Sequence, residues 1–139
     1  MGRVDGKVII VTGGATGIGR GISEVLAREG ARVVIANRNR ERGEEAEAAI
    51  LATGGEALFV PTDVAAEADC RNLAAEAVRV FGRVDGLVNN AGIFPRGTLD
   101  ETTSELWDQI FAVNLKGAFF CCKHVVPELR KAGGGAIVN

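Results

Sequence analysis

The segment Lys7-Val8-Ile9-Ile10-Val11-Thr12-Gly13-Gly14-Ala15-Thr16-Gly17-Ile18-Gly19 constrains this chain more than any other stretch. Its β-branched apolar run reads as a strand, and the glycines that follow read as a sharp turn opening a helix. Such a turn is a phosphate-binding device. Glycine lets the backbone approach an anion closely, and the free N–H groups and positive dipole end of the helix receive its charge. The spacing is Gly-x-x-x-Gly-x-Gly, which is not the Gly-x-Gly-x-x-Gly of the standard dinucleotide fingerprint. Gly13, Gly17 and Gly19 are still more glycines than a bare strand-to-helix turn needs, so they and the intervening Thr16 and Ile18 are candidate binding positions.

Short β-branched runs then alternate with longer amphipathic stretches, the pattern of strand-helix units that build a parallel sheet. Strands are expected near residues 7–11, 32–36, 57–60, 84–89 and 136–139. In the first helix Ile18, Ile22, Val25 and Leu26 follow helical spacing and are expected to form one stripe on the sheet, with Gly30 ending the helix. Leu73, Ala77, Val78 and Phe81 do the same for the third helix. The stretch 41–49 is charged and alanine-rich, and reads as a solvated outer face. Right-handed crossovers order the strands 3-2-1-4-5 in a doubly wound α/β sheet, whose ligands bind at the switch point beyond the carboxyl ends of the strands. Special residues do cluster after strands: Thr12 to Gly19, Asn37-Arg38, Asp63-Val64 and Asn90-Ala91-Gly92.

With 139 residues, the chain has the length of one domain, and 47% hydrophobic with 24% charged residues is an ordinary globular composition. A net charge of -2 gives no electrostatic case for nucleic acid or an anionic membrane. The longest uncharged apolar stretch, residues 117–122, is far short of the about 20 residues a membrane span needs. Residues 1–6 hold no apolar signal region, so a cytoplasmic protein is expected. Cys70, Cys121 and Cys122 are an odd set with no disulfide framework, which suits a reducing compartment. Cys121 and His124 sit three apart on an expected helix. As a metal site they lack a third and fourth ligand, and packing in a buried helix is the preferred reading for both.

Thr12-Gly13-x-x-x-Gly17-Ile18-Gly19, Asp63-Val64, Asn89-Asn90-Ala91-Gly92 and Asn114, in this order and separation, closely resemble the short-chain dehydrogenase/reductase family. The resemblance covers essentially the whole chain and implies a Rossmann-type fold that binds NAD or NADP. It implies that the glycine turn holds the pyrophosphate and that Asp63, with Val64 beside it, accepts from the adenine amino group. Asn90-Ala91-Gly92 would line the ribose and nicotinamide side. Asp63 also fits a turn or capping carboxylate after Pro61, and Asn89 is expected to tie strands together while Asn90 faces the cofactor. Asn114 lies in the helical stretch 102–131, where asparagine is a poor helix former. In the family the matching asparagine sits at a helix irregularity whose backbone carbonyl holds a water of the active-site proton relay, which makes Asn114 the candidate catalytic residue. Homo-oligomers, tetramers or dimers, are the family's habit, with this helix contributing to an interface.

The end of the second strand bears on cofactor choice. NAD enzymes carry an acid there for the ribose 2′-hydroxyl. This chain has Asn37 at that place, followed by Arg38, whose planar fork suits a 2′-phosphate, with Arg40 and Arg42 adding field. Arg38 also fits a plain surface arginine; NADP is the preferred cofactor and NAD the alternative. The family's chemistry is hydride transfer between nicotinamide and an alcohol or ketone, coupled to proton transfer by a tyrosine with a nearby lysine and a serine. This sequence has no tyrosine, and neither Lys116 nor Lys123 fills the lysine role. By register with Asn114, the serine would fall about three residues past Asn139. The expectation is therefore a dinucleotide-binding Rossmann domain over residues 1–139, incomplete within its fifth strand, from an NADP-dependent oxidoreductase. The alternative is a dinucleotide-binding fragment without catalysis.

Overall fold

Alternate residues of the strand Val8–Thr12 (β1) face opposite sides of a sheet, and both sides are covered, which is why the strand is apolar almost throughout. The computed structural model describes residues 2–139. Strands Arg32–Asn37 (β2), Glu56–Pro61 (β3), Gly86–Val88 (β4) and Ala136–Val138 (β5) join β1 in one sheet of order β3-β2-β1-β4-β5. Every pairing is parallel, so the carboxyl ends of the strands share one edge. This is the doubly wound, Rossmann-type α/β arrangement expected from the alternation of strand and helix patterns.

Helices Gly17–Arg28 (α1) and Arg40–Ala52 (α2) cover the face carrying Ile9, Val11, Val33 and Ile35. Helices Glu67–Phe81 (α3) and Gly117–Lys131 (α5) cover the face carrying Val8, Ile10 and Val34, through Leu73, Ala77, Cys121, Val125 and Leu129. Ser104–Phe111 (α4) runs into α5 through a single π-helical segment, Ala112–Lys116, with Asn114 at its centre. Gly30 and Gly54, both at positive φ, follow the ends of α1 and α2.

Two local expectations differ from the structure. The stripe on α1 includes Ile22 and Leu26, but Ile18 is 79% exposed and Val25 is 47% exposed. The small residues Gly19 and Ser23 take the buried positions instead, because α1 packs closely beneath the glycine turn, where the Ser23 hydroxyl donates to the Gly14 carbonyl at 3.0 Å. The fourth strand is shorter than 84–89. Asp85 and Asn89 flank it and still bond across to their neighbours, to the Val8 and Val138 carbonyls at 2.8 Å each, and beyond them the Asn90 N–H turns to the Thr12 hydroxyl.

Candidate functional site

A cleft of about 610 Å³ opens at the carboxyl ends of the strands, between the β1–α1 turn, the end of β2 and the segments after β3 and β4. Its lining includes Gly13, Thr16, Asn37, Arg38, Val64, Ala91 and Gly92 of the residues singled out from sequence. Gly17, Ile18, Gly19, Asp63, Asn90 and Asn114 lie outside that lining. The first group offers surface to a ligand, whereas most of the second builds the walls.

The β1–α1 turn is held by two features. Gly13 and Gly17 adopt φ of 62° and 52°, a region that L side chains rarely enter. Gly19 lies so close beneath the turn that a Cβ there would overlap the Gly13 carbonyl and the Asn90 amide. Thr12 then pins the turn to the strand beside it. Its buried hydroxyl accepts the N–H groups of Asn90 and Ala91, each at 3.0 Å, and donates to the Val88 carbonyl at 3.4 Å. The Asn90 side-chain amide donates to the carbonyls of Thr12, at 3.0 Å, and Gly13, at 3.3 Å. Asn90 thus spends its N–H groups bracing the turn. Asn89 links β4 to the end of β5 through its bond to Asn139 at 2.9 Å, the strand-tying role expected of it.

The amino end of α1 stands apart electrostatically. α2 is capped by the Asn39 carboxamide oxygen, which accepts the Arg42 N–H, and α4 by the Thr103 hydroxyl, which accepts the Leu106 N–H. α3 carries Glu67 and Asp69 in its first turn. Among the described residues, α1 has neither a side-chain cap nor an acidic residue in its first turn. With neither to meet it, its positive end opens beside Gly13 and Thr16 in the cleft.

At the other end of the cleft, Asn37 closes β2 opposite Pro61, and its carbonyl accepts the Thr62 N–H at 3.0 Å. Arg40 pairs with Glu44 and Arg42 with Glu45, both at 3.5 Å. Arg38 has no ion-pair partner among the described residues, and no carboxylate lines the cleft. A guanidinium in that setting suits a multiply charged anion.

Asp63 shapes the wall below. One of its carboxylate oxygens accepts the Ala65 N–H at 3.0 Å, and its own N–H donates to Asp69 at 2.8 Å, so it closes a turn into α3. Asn114 braces the segment after β4. Its oxygen accepts the Ile93 N–H at 2.8 Å and its nitrogen donates to the Ile93 carbonyl at 2.9 Å. This side chain therefore faces another segment's backbone and leaves its own helix unchallenged. The π-helical segment is the irregularity anticipated at this asparagine.

Thr62 and Ile93 line the site but were not singled out from sequence, and Thr12, part of the motif read there, has a bracing role that the motif did not disclose. A position immediately after a strand was the available signal for Thr62. Cys121 is buried as expected, while His124 contacts Glu67 at 3.0 Å, beside Lys123. Among the described residues, no group of three or more His, Cys, Asp or Glu side chains is placed to hold a metal. No described helix is long and apolar enough to cross a membrane.

A family model described as short chain dehydrogenase matches residues 7–139. An uncharacterized oxidoreductase of Thermotoga maritima is 44% identical over 134 residues, covering 96% of this chain and 53% of that protein. Cyclopentanol dehydrogenase of Comamonas testosteroni is 42% identical over 139 residues, covering 100% of this chain and 56% of that protein. The crystal structure of a short chain dehydrogenase from Mycobacterium avium is similar with a TM-score of 0.92 at 38% identity, covering 100% of this chain and 53% of that one. The chain spans about half the length of these relatives.

Proposed function

Because this chain belongs to the short-chain dehydrogenase/reductase family, we propose that residues 1–139 are the dinucleotide-binding part of an oxidoreductase acting with NADP(H) on an alcohol or ketone. The observation that carries this reading is the uncapped, acid-free start of α1 at a glycine turn lining the cleft. A pyrophosphate there would meet the free N–H groups and positive end of α1, with Gly13, Thr16, Gly17, Ile18 and Gly19 forming the cradle. Val64 would flank the adenine, with the Asp63 carboxylate as its acceptor, and Asn90, Ala91 and Gly92 would bound the nicotinamide side. The bound cofactor supplies the hydride; the chain's residues hold and orient it.

NADP over NAD rests on Asn37 and Arg38. An acid at position 37 would repel a 2′-phosphate; asparagine does not, and Arg38 offers donors that no carboxylate among the described residues occupies. The alcohol or ketone class is supported by the similarity to a cyclopentanol dehydrogenase. Asn114 is the one residue here proposed for catalysis, acting through the backbone of the π-helical segment that it sits in. The free cysteines fit a cytoplasmic setting. A homo-oligomer is supported by Trp107, Phe111, Leu115 and Phe119, apolar residues at four-residue intervals along α4, the π-helical segment and α5, each 43% to 62% exposed. One observation favours the second reading, a binding part without catalysis: the sequence has no tyrosine to serve as the acid.

Titrating the chain with NADPH and with NADH by fluorescence tests the cofactor reading. NADPH is expected to bind more tightly, and Arg38→Ala to weaken it by about 10- to 100-fold while leaving NADH nearly unchanged. Tighter NADH binding would overturn the NADP reading, and no binding of either would overturn the dinucleotide reading. Carbonyl-dependent NADPH oxidation by the chain itself would remove the second reading.

A further inference from the structure

Cys70 on α3 and Cys121 on α5 are both fully buried, and their sulfurs lie 3.7 Å apart across the contact between the two helices. The Cys121 thiol donates to the Cys70 sulfur, and the Cys70 thiol donates to the Val64 carbonyl at 3.4 Å. Val64 lines the cleft, and its side chain fills the space that Gly117 leaves open at the start of α5. A line of hydrogen bonds thus runs from α5 through α3 to the cleft wall.

Two sulfurs in contact can share a metal or bond to each other. Among the described residues no group of three or more ligands gathers there to hold a metal, while the sulfur–sulfur contact itself is what a disulfide needs. Closing 3.7 Å to a disulfide asks for a movement of about 1.7 Å. We infer that Cys70 and Cys121 are a redox modification site for a peroxide: oxidation joins α3 to α5 and withdraws the thiol donor from Val64. The effect on the cleft rests on the dinucleotide reading above; the disulfide does not.

Cys70 is the attacking sulfur, since the Cys121 thiol donating to it holds its titration below the ordinary thiol value. The same contact, with burial, pushes the Cys121 thiol far up. The Cys70 sulfur attacks one peroxide oxygen, the O–O bond breaks, and the departing hydroxide takes the Cys70 proton. This yields a sulfenic acid and one water. The Cys121 sulfur then attacks the Cys70 sulfur, the S–O bond breaks, and the hydroxyl leaves as a second water with the Cys121 proton. Two thiols have lost two electrons, and one peroxide has become two waters. Because both sulfurs are buried, the reaction waits on local opening between α3 and α5. Cys122, half-buried beside Asn89, is the natural competitor.

Hydrogen peroxide treatment of the chain, followed by intact mass and non-reducing peptide mapping, tests the site. The expected result is a loss of about 2 Da, two hydrogens, and a linked Cys70–Cys121 peptide in the unmodified sequence and in Cys122→Ala, but not in Cys121→Ala. NADPH affinity should weaken several-fold on oxidation and return with dithiothreitol. Oxygen added at Cys122 with no linked peptide would overturn the site. A linked peptide with unchanged NADPH affinity would overturn its coupling to the cleft. Should the reduced chain bind no NADPH, the dinucleotide reading fails, while the linked peptide still decides the modification site.

Discussion

At the scale of single residues, Thr12 bears the most on the site. One buried hydroxyl accepts two backbone N–H groups and donates to the Val88 carbonyl just before them, fixing the distance between the glycine turn and the segment 90–92. Thr12→Val keeps the shape and removes the oxygen, leaving the Ala91 N–H without its acceptor and the Asn90 N–H with the Val88 carbonyl alone. The expected loss is about 1–3 kcal/mol, the cost of one unsatisfied donor, read as a fall in the urea midpoint. Thr12→Ser should stay near the parent, because the hydroxyl survives. If Thr12→Val proved as stable as Thr12→Ser, the hydroxyl would not be the pin described here. Gly19 shows the complementary case, in which the absence of a side chain is what matters. Its lack of Cβ lets α1 lie against the Gly13 carbonyl, and this explains why Gly19 supports the cleft without lining it.

At the scale of elements, α4, the π-helical segment and α5 combine two jobs. The π-helical segment carries Asn114, whose carboxamide grips both backbone groups of Ile93, and Gly117 just beyond it admits Val64. The outer side carries Trp107, Phe111, Leu115 and Phe119, with the Trp107 and Phe111 rings stacked at 4.7 Å. Under the oligomer reading, a second copy covers this stripe about a twofold axis, so Leu115 meets the partner's stripe in both directions. Leu115→Glu would bury carboxylates at that contact. Light scattering is expected to show the chain moving from dimer or tetramer to monomer, and a parent that is monomeric at every concentration would sink the reading. The strand order, and with it the strand ends that meet at the cleft, were legible in sequence because both follow from periodicity and chirality. The α1 stripe was not, since burial of Gly19 and Ser23 in place of Ile18 and Val25 depends on how closely the helix sits under the turn. The inward grip of Asn90 and the Cys70–Cys121 contact escaped for a related reason: each joins segments distant in sequence, which no local pattern records.

At the scale of the whole molecule, Asp85 ties the amino edge of the sheet together. Its carboxylate accepts the Val8 N–H at 3.0 Å and two donors of Arg83, and Lys7 lies 4.0 Å away. Its backbone joins β1 through Val8 and β5 through Ala136. Burial pulls this carboxyl's titration upward, but the Arg83 guanidinium, the Val8 N–H and Lys7 outweigh it and hold it below the ordinary aspartate value. A carboxyl that titrates lower folded than unfolded binds its proton more readily in the unfolded chain. Its contribution is therefore present above the unfolded value, which for aspartate is about 4, and lost as pH falls through the folded one. The urea midpoint should be flat from neutral to about pH 5 and drop in more acid solution. Asp85→Asn should lower the neutral plateau, because Arg83 loses its counter-charge, and make the acid limb shallower. Some slope will remain, since Glu45, Glu67, Glu76 and Glu101 are also held low by their partners. An unchanged acid limb in Asp85→Asn would mean that the tie between β1, β4 and β5 does not depend on this charge.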